Sequence, residues 1–249
     1  MNLTNQYGAP DVFIKAIQAD PYTKGDADFS VTGLIQPPQI ARLRSEHEDK
    51  LTSDVRDEVW KLLGSGVHAV LEGHGEGVAE RRLFADYRQE TEPKKVTISG
   101  AVDLVKDGHV TDYKVTATYT ATKGLKSEWE QQLNLYAWLL GYNETEVKSL
   151  TIVAVCRDWM KSRAGKNNYP DSPIVSIPVP LWSPERQMRF LSRRVGLHTK
   201  KETIPCTDEE RWMNRPGEYT RCKAWCDVSE WCPQWRGGSS GNSKEQSDS

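Results

Sequence analysis

The chain has no apolar run long enough to cross a bilayer. Its longest uncharged stretch of interest, Leu133 to Asn143, is about half of the roughly 20 residues a spanning helix needs. The first residues, Met1 to Pro10, lack a basic segment followed by an apolar one, so no secretory signal is expected. Aliphatic side chains are scarce: Leu, Ile, Val and Phe together make up about one residue in five, the margin at which burial can fail to offset chain entropy. Cysteine is scarce as well. The 5 present are odd in number and cluster late, unlike the disulfide framework of a secreted domain. A strong charge of either sign is also missing, the formal net charge being −2. This balance does not announce nucleic acid, although a local basic cleft is compatible with a mildly acidic whole.

What is present answers the shortage of aliphatics. Nine tryptophans supply aromatic burial, and 249 residues suffice for one large domain. The expectation is a soluble cytoplasmic protein with no membrane association. No repeat of solenoid length occurs. A short helix is expected from Asp11 to Ala19, and a strand or helix start over Ser30 to Gln36, broken by Pro37-Pro38. A strong helix follows from about Ser53 to Glu72, with Val55, Val59, Leu62, Leu63, Val67 and Val70 at helical spacing. His68 lies nearly opposite the centre of that stripe, so it is not a core histidine of this helix. After Gly73, Gly75 and Gly77 a further helical piece is expected over Val78 to Tyr87, with Glu80 near its start. Ser127-Glu128-Trp129-Glu130 reads as a capping box opening a helix to Leu140, Leu150 to Val155 as a buried strand, and Pro184 to Lys200 as a late helix.

Two strand-like runs, Val96 to Val105 and Val110 to Thr118, flank Lys106-Asp107-Gly108-His109, a strong two-residue hairpin signal. With Asp107 and Gly108 as the loop, residue 106 pairs with 109, 105 with 110, 104 with 111 and 103 with 112. Asp103 and Asp112 then oppose each other on one face, about 5 Å apart at Cβ, with Lys114 on the same face. Opposed carboxylates destabilise a hairpin unless a cation lies between them, and oxygen ligands at that separation suit magnesium or manganese. On the following helix Gln132 and Tyr136 share a face one turn apart. Three solvated charges on an exposed hairpin are the ordinary alternative.

The ordered set His68, Glu80, Gly100-Ala-Val-Asp103, Asp112-Tyr-Lys114 and Gln132-Leu-Asn-Leu-Tyr136 resembles the PD-(D/E)xK nuclease superfamily, in the branch of RecB-type nuclease domains, phage exonucleases and CRISPR adaptation nucleases. The resemblance covers roughly residues 30–156. It implies an α/β restriction-endonuclease-like core, a central mixed sheet flanked by helices, and a Mg2+- or Mn2+-dependent deoxyribonuclease. By the same resemblance Asp103 and Asp112 are ligands of the catalytic metal, His68 touches it, and Lys114 positions or activates the attacking water. Glu80 completes the acidic cluster, with Glu72 and Glu76 as competitors, and Gln132 and Tyr136 line the cleft. The implied activity is exonucleolytic, in DNA end-processing or recombination of phage or prophage type. The implied substrate is linear DNA ends, with a phage recombinase or single-strand-binding protein as candidate partner. The rival reading from another class is a catalytically quiet DNA-binding accessory subunit on the same fold.

Cys222, Cys226 and Cys232 fall within eleven residues beside Trp225 and Trp231, and Cys206 lies sixteen residues earlier. Relatives in this branch hold an iron–sulfur cluster with three late cysteines and one early cysteine. The stretch matching the early one reads Leu34-Ile35-Gln36-Pro37-Pro38, without cysteine. Cys206 as fourth ligand would complete an all-thiolate site for a 4Fe–4S cluster or, alternatively, Zn2+. Cys156, in an apolar strand, reads as a buried thiol. The expected division is a nuclease domain over 1–203, a cysteine-rich metal-binding segment over 204–236 and a disordered tail over 237–249.

Overall fold

The computed structural model describes residues 2–19, 25–72, 74, 78–88, 95–200 and 202–238, with backbone alone at 78–81 and 237–238. The elements in chain order are β1 (Asn2–Thr4), α1 (Asp11–Gln18), β2 (Phe29–Ser30), α2 (Val31–Ile35), α3 (Pro38–Glu46), β3 (Thr52–Asp54), α4 (Val55–Glu72), β4 (Val78–Arg88), β5 (Lys95–Lys106) and β6 (His109–Thr116). They continue with α5 (Thr118–Thr122), α6 (Ser127–Tyr142), β7 (Ser149–Cys156), β8 (Ile174–Val179), α7 (Pro184–Thr199), β9 (Met213–Arg215), β10 (Glu218–Tyr219), α8 (Thr220–Ala224) and α9 (Pro233–Gly238). The result is the expected α/β architecture, a central mixed sheet with helices packed against it. No described helix is long and apolar enough to cross a membrane.

The sheet is built on β5. One edge of β5 pairs antiparallel with β4 along nearly its whole length, from Val78↔Val105 to Arg88↔Lys95. The other edge is shared. β6 takes Leu104 to Lys106 in antiparallel register, and β2 takes Ile98 and Ser99 in parallel. β6 then pairs parallel with β7, and β7 antiparallel with β8. Alternation in β7 buries Leu150, Ile152, Ala154 and Cys156 on one face, as period-two geometry requires. Cys156 is thus a core thiol, as its apolar context suggests.

The hairpin at Asp107-Gly108 forms as its sequence predicts. Both loop residues have positive φ, 52° and 83°, the left-handed pair that a type I′ turn needs. The segment over Val78 to Tyr87 is a strand and not a helix. Its second half alternates, Leu83, Ala85 and Tyr87 being buried while Phe84, Asp86 and Arg88 are exposed, and pairing with β5 overrides the helix-favouring Ala-Glu-Arg-Arg start. The capping box at Ser127 also does not form. Lys126 is the N-cap of α6, and Glu130 is turned to the indole N–H of Trp182 and to Arg186.

Helix α6 is the core helix, with Leu133, Leu135, Leu139 and Leu140 buried against the sheet. α4 is different: only Val55 is buried, and its apolar stripe faces Phe13 of α1 in a shallow groove. The polar side of α4, carrying His68, is therefore the side turned to β5 and β6.

A second, smaller core joins α3 to the C-terminal segment through Ile40, Leu43, Leu51, Val228, Cys206 and Cys232. Polar tethers reinforce it. The buried Arg194 guanidinium donates to the carbonyls of Leu34 and Gln36 at the end of α2 and meets Glu210 at 3.3 Å. Arg221 donates to the Glu210 carbonyl and to Gln36 Oε1. Residues 237 and 238 close α9, and the rest of the expected tail lies outside the described residues.

Gly100 marks where α6 meets β5 most closely. A Cβ there would sit 2.8 Å from both Leu139 Cδ1 and Tyr136 Cε1. Gly100→Ala is expected to cost about 1–3 kcal/mol through overpacking. Chemical denaturation checks this, and a midpoint equal to wild type would show that α6 is not held at this distance.

Candidate active site

The register of the β5–β6 hairpin holds for 104↔111, 105↔110 and 106↔109 and then stops. Asp103 and Asp112 are not a ladder pair. At Asp103 the strands part, and the Asp103 carboxylate replaces the backbone acceptor: Tyr113 N–H donates to Asp103 Oδ2 at 2.8 Å. The cause is topological, since β5 hands this edge on to β2 four residues earlier.

Around this fork the side chains singled out in the sequence come together. His68 Nδ1 approaches Asp103 Oδ2 at 3.4 Å, and its ring stands edge-on to Tyr113. The hydrogen bond to Asp103 raises the His68 pKa, against the effect of burial. Asp112 is buried to 1% exposure. Gln132 Nε2 donates to Asp112 Oδ1 at 3.2 Å and to the Tyr136 hydroxyl at 2.9 Å, so the one-turn spacing on α6 fixes the carboxylate from above. Lys114 Nζ forms an ion pair with Asp112 Oδ2 at 2.7 Å, and beyond that charge contact this buried oxygen accepts no regular hydrogen bond. Burial pushes the Asp112 carboxyl up to about 6; Lys114 opposes the rise and Asp103 adds to it.

Glu80 lies in β4, between the pairs Ala79↔Leu104 and Arg81↔Val102, so its backbone stands at the position opposite Asp103. Its side chain is outside the described residues, as is Glu76, while Glu72 ends α4. Sequence reasoning missed the Tyr113 backbone N–H, which no side-chain pattern could signal.

Among the described residues no three His, Cys, Asp or Glu side chains are already gathered as a metal cage. The donor set nevertheless suits a hard divalent cation. It offers a buried carboxylate oxygen on Asp112 that is met only by the Lys114 ammonium, and the neighbouring Asp103 carboxylate.

The four late cysteines share one cavity, although they too are not gathered as a metal cage. Cys206, Cys222, Cys226 and Cys232 line one small cavity with Gln39, Ile40 and Leu43 of α3. Burial pushes the Cys206 thiol up to about 12, and Glu210, Cys232, Cys222 and Cys226 add to the rise. Gln39, a buried residue of α3, donates to Cys232 Sγ at 3.1 Å and accepts from the Cys206 N–H at 3.1 Å. A local basic surface exists too, as Arg186, Arg189 and Arg193 are exposed along α7.

The model of the PD-(D/E)XK nuclease superfamily matches residues 39–233, and the chain belongs to that superfamily. The solved structure of SSO0001 aligns with a TM-score of 0.57 and 17% identity over 90% of this chain and 95% of its own, which shows a shared fold. A phage-related exonuclease from Haemophilus somnus 129PT aligns at 0.31 with 13% identity, over 66% of this chain and 70% of its own. An alkaline exonuclease from Laribacter hongkongensis aligns at 0.31 with 14% identity, over 55% and 63%. The last two scores are too low to argue from. No curated protein matches.

Asp112 is the strained charge of this site, whereas the Asp103 carboxylate has a backbone N–H and an imidazole beside it. A carboxyl whose pKa is higher in the native state than the unfolded value of 3.8 binds its proton more tightly when folded. Stability therefore falls as pH rises from about 4 to about 6, and the full penalty persists above that range. In chelator, Asp112→Asn is expected to gain stability relative to wild type as pH rises from about 4 to about 7.5, because only the wild-type carboxyl must ionise in the interior. A stability difference between the two that does not change over this range would refute the strained-charge description.

Proposed function

We propose that this protein is a divalent-metal-dependent deoxyribonuclease that degrades linear DNA from its ends, as a phage or prophage enzyme of end-processing or recombination in the bacterial cytoplasm. The observation that carries the reading is the buried Asp112 carboxylate, one oxygen of which is met only by the Lys114 ammonium, beside Asp103 at the fork of the sheet, in a chain of the PD-(D/E)XK nuclease superfamily. The preference for ends rests on the ordered motif set, which resembles the phage exonuclease branch.

Asp103 and Asp112 would hold Mg2+ or Mn2+, with His68 beside it and Glu80 contributing from its register position opposite Asp103. When bound, such an ion supplies a Lewis acid for a phosphate oxygen and a water acidic enough to attack near neutral pH. The chain's own residues do the rest. Gln132, itself bonded to Tyr136, locks Asp112 in one rotamer. Lys114 brings an ammonium to the reacting phosphate, where it orients the attacking water and stabilises the charge that develops on the phosphate oxygens. Asp103 is oriented by the Tyr113 backbone N–H and by the His68 imidazole beside it.

Incubation with end-labelled linear DNA in Mg2+ should release label, while circular DNA and reactions with chelator should not. Asp112→Ala and Lys114→Ala should each lower the rate by about 10²–10³-fold or more while the fold persists. Wild-type rates in either variant, or cleavage in chelator, would overturn the assignment.

The cysteine segment belongs to the same proposal. Cys206, Cys222, Cys226 and Cys232 bind one metal centre, a 4Fe–4S cluster or zinc, and the supporting fact is that the four thiols line a single cavity between α3 and the C-terminal segment. Protein purified without oxygen should then be brown with iron and sulfide, or colourless with one zinc. Four freely titratable thiols in the native protein and neither metal would show that no centre forms.

A further inference from the structure

Trp60 is an unusual surface residue. It is 52% exposed, although tryptophan is on average largely buried, and it lies outside both hydrophobic cores. It is not loose: the Arg157 guanidinium lies over its ring, 4.2 Å from the centroid. One face of the indole is thereby covered by a cation, while about half of the residue stays exposed to a ligand. Arg157 is itself positioned by the site's own strand, since its backbone N–H donates at 2.9 Å to the carbonyl of Thr116, two residues beyond Lys114 on β6.

The pair points along α4 to the fork. Trp60 and His68 flank Gly64, each turned about 40° from it on the helix surface, and the eight-residue separation spans about 12 Å. An added Cβ at Gly64 would meet nothing within 4 Å, so the lane between the indole and His68 is open. A stacked strand steps by about 3.4 Å per base and an extended one by more, which places Trp60 within about three nucleotides of the group that His68 adjoins. A second exposed aromatic, Tyr119 at 69% exposure, lies at the start of α5, which the carboxylate of Asp158, next to Arg157, fastens through Thr118.

Resting on the nuclease reading, we propose that Trp60, backed by Arg157, is a stacking platform for an unpaired base of the DNA strand, within about three nucleotides of the scissile phosphate. Aromatic stacking tolerates any base, because every base has a π-face, and the adjacent guanidinium adds a charge for the backbone. This arrangement favours frayed or single-stranded ends over an intact duplex, and Trp60 acts on affinity while Asp112 and Lys114 act on the chemistry.

The test uses a single-stranded oligonucleotide with 2-aminopurine three nucleotides from its labelled end, bound in chelator and then cleaved in Mg2+. Wild type should quench the fluorophore on binding, and Trp60→Phe should retain most of the quench. Trp60→Leu should lose it, with KM raised about 5- to 100-fold and kcat lowered less than about 2-fold. Arg157→Gln should weaken binding and reduce its salt dependence. Equal quenching by wild type and Trp60→Leu, or a loss confined to kcat, would overturn the platform while leaving the nuclease reading intact. Failure of the wild type to cleave any DNA in Mg2+ would instead overturn the nuclease reading on which the platform rests.

Discussion

The geometry of this protein turns on the way β5 divides one of its edges. β4 occupies the opposite edge almost end to end, but on the shared side β6 pairs only as far as Leu104 and β2 pairs only at Ile98 and Ser99. Between them, residues 100–103 have no ladder partner on that side, and a sheet cannot leave such backbone unsatisfied at no cost. The Asp103 side chain takes the Tyr113 N–H, and Gly100, having no Cβ, lets Tyr136 and Leu139 of α6 close on the strand. Once α6 is held there, Gln132 one turn back reaches Asp112. The constellation is thus a consequence of the fork, and each member is oriented by backbone or by a packed helix.

Inside this constellation the protein keeps a charge that its own interior disfavours. Asp112 is fully buried, its carboxyl is pushed up to about 6, and one of its oxygens is met only by the Lys114 ammonium. A chain selected for stability alone would place an amide or an apolar group here. Under the proposed function, this retained charge is the place kept for a cation. The C-terminal segment shows the opposite economy. Its apolar residues are few, and it is fastened to α2 and α3 by Arg194, Arg221 and a small core that includes the cysteines.

Much of this was legible in the sequence where the signal was local. Asp107-Gly108 fixed the hairpin register for three pairs, and the position of His68 opposite the α4 stripe excluded it from that helix's core. Periodicity placed Gln132 with Tyr136 and Asp112 with Lys114 on shared faces, while their gathering into one cleft was implied by the family resemblance. Long-range features were not legible. The 103↔112 pair is lost because β5 changes partner, a fact of topology. Val78 to Tyr87 is a strand although its Ala-Glu-Arg-Arg start favours helix in isolation, and the strand signal lies in the alternation from Leu83 onward. Trp60 and Arg157 are 97 positions apart in the chain, and nothing local connects them.

The central claim is that the buried Asp112 carboxylate is a ligand kept for a divalent ion. Titrating the protein into Mn2+ and following the free-ion signal by electron paramagnetic resonance measures this directly. The account predicts loss of the free Mn2+ signal with wild type at neutral pH, competition by Mg2+, and affinity at least about tenfold weaker in Asp112→Asn. Mn2+ binding equal in wild type and Asp112→Asn, or absent from both, would contradict it.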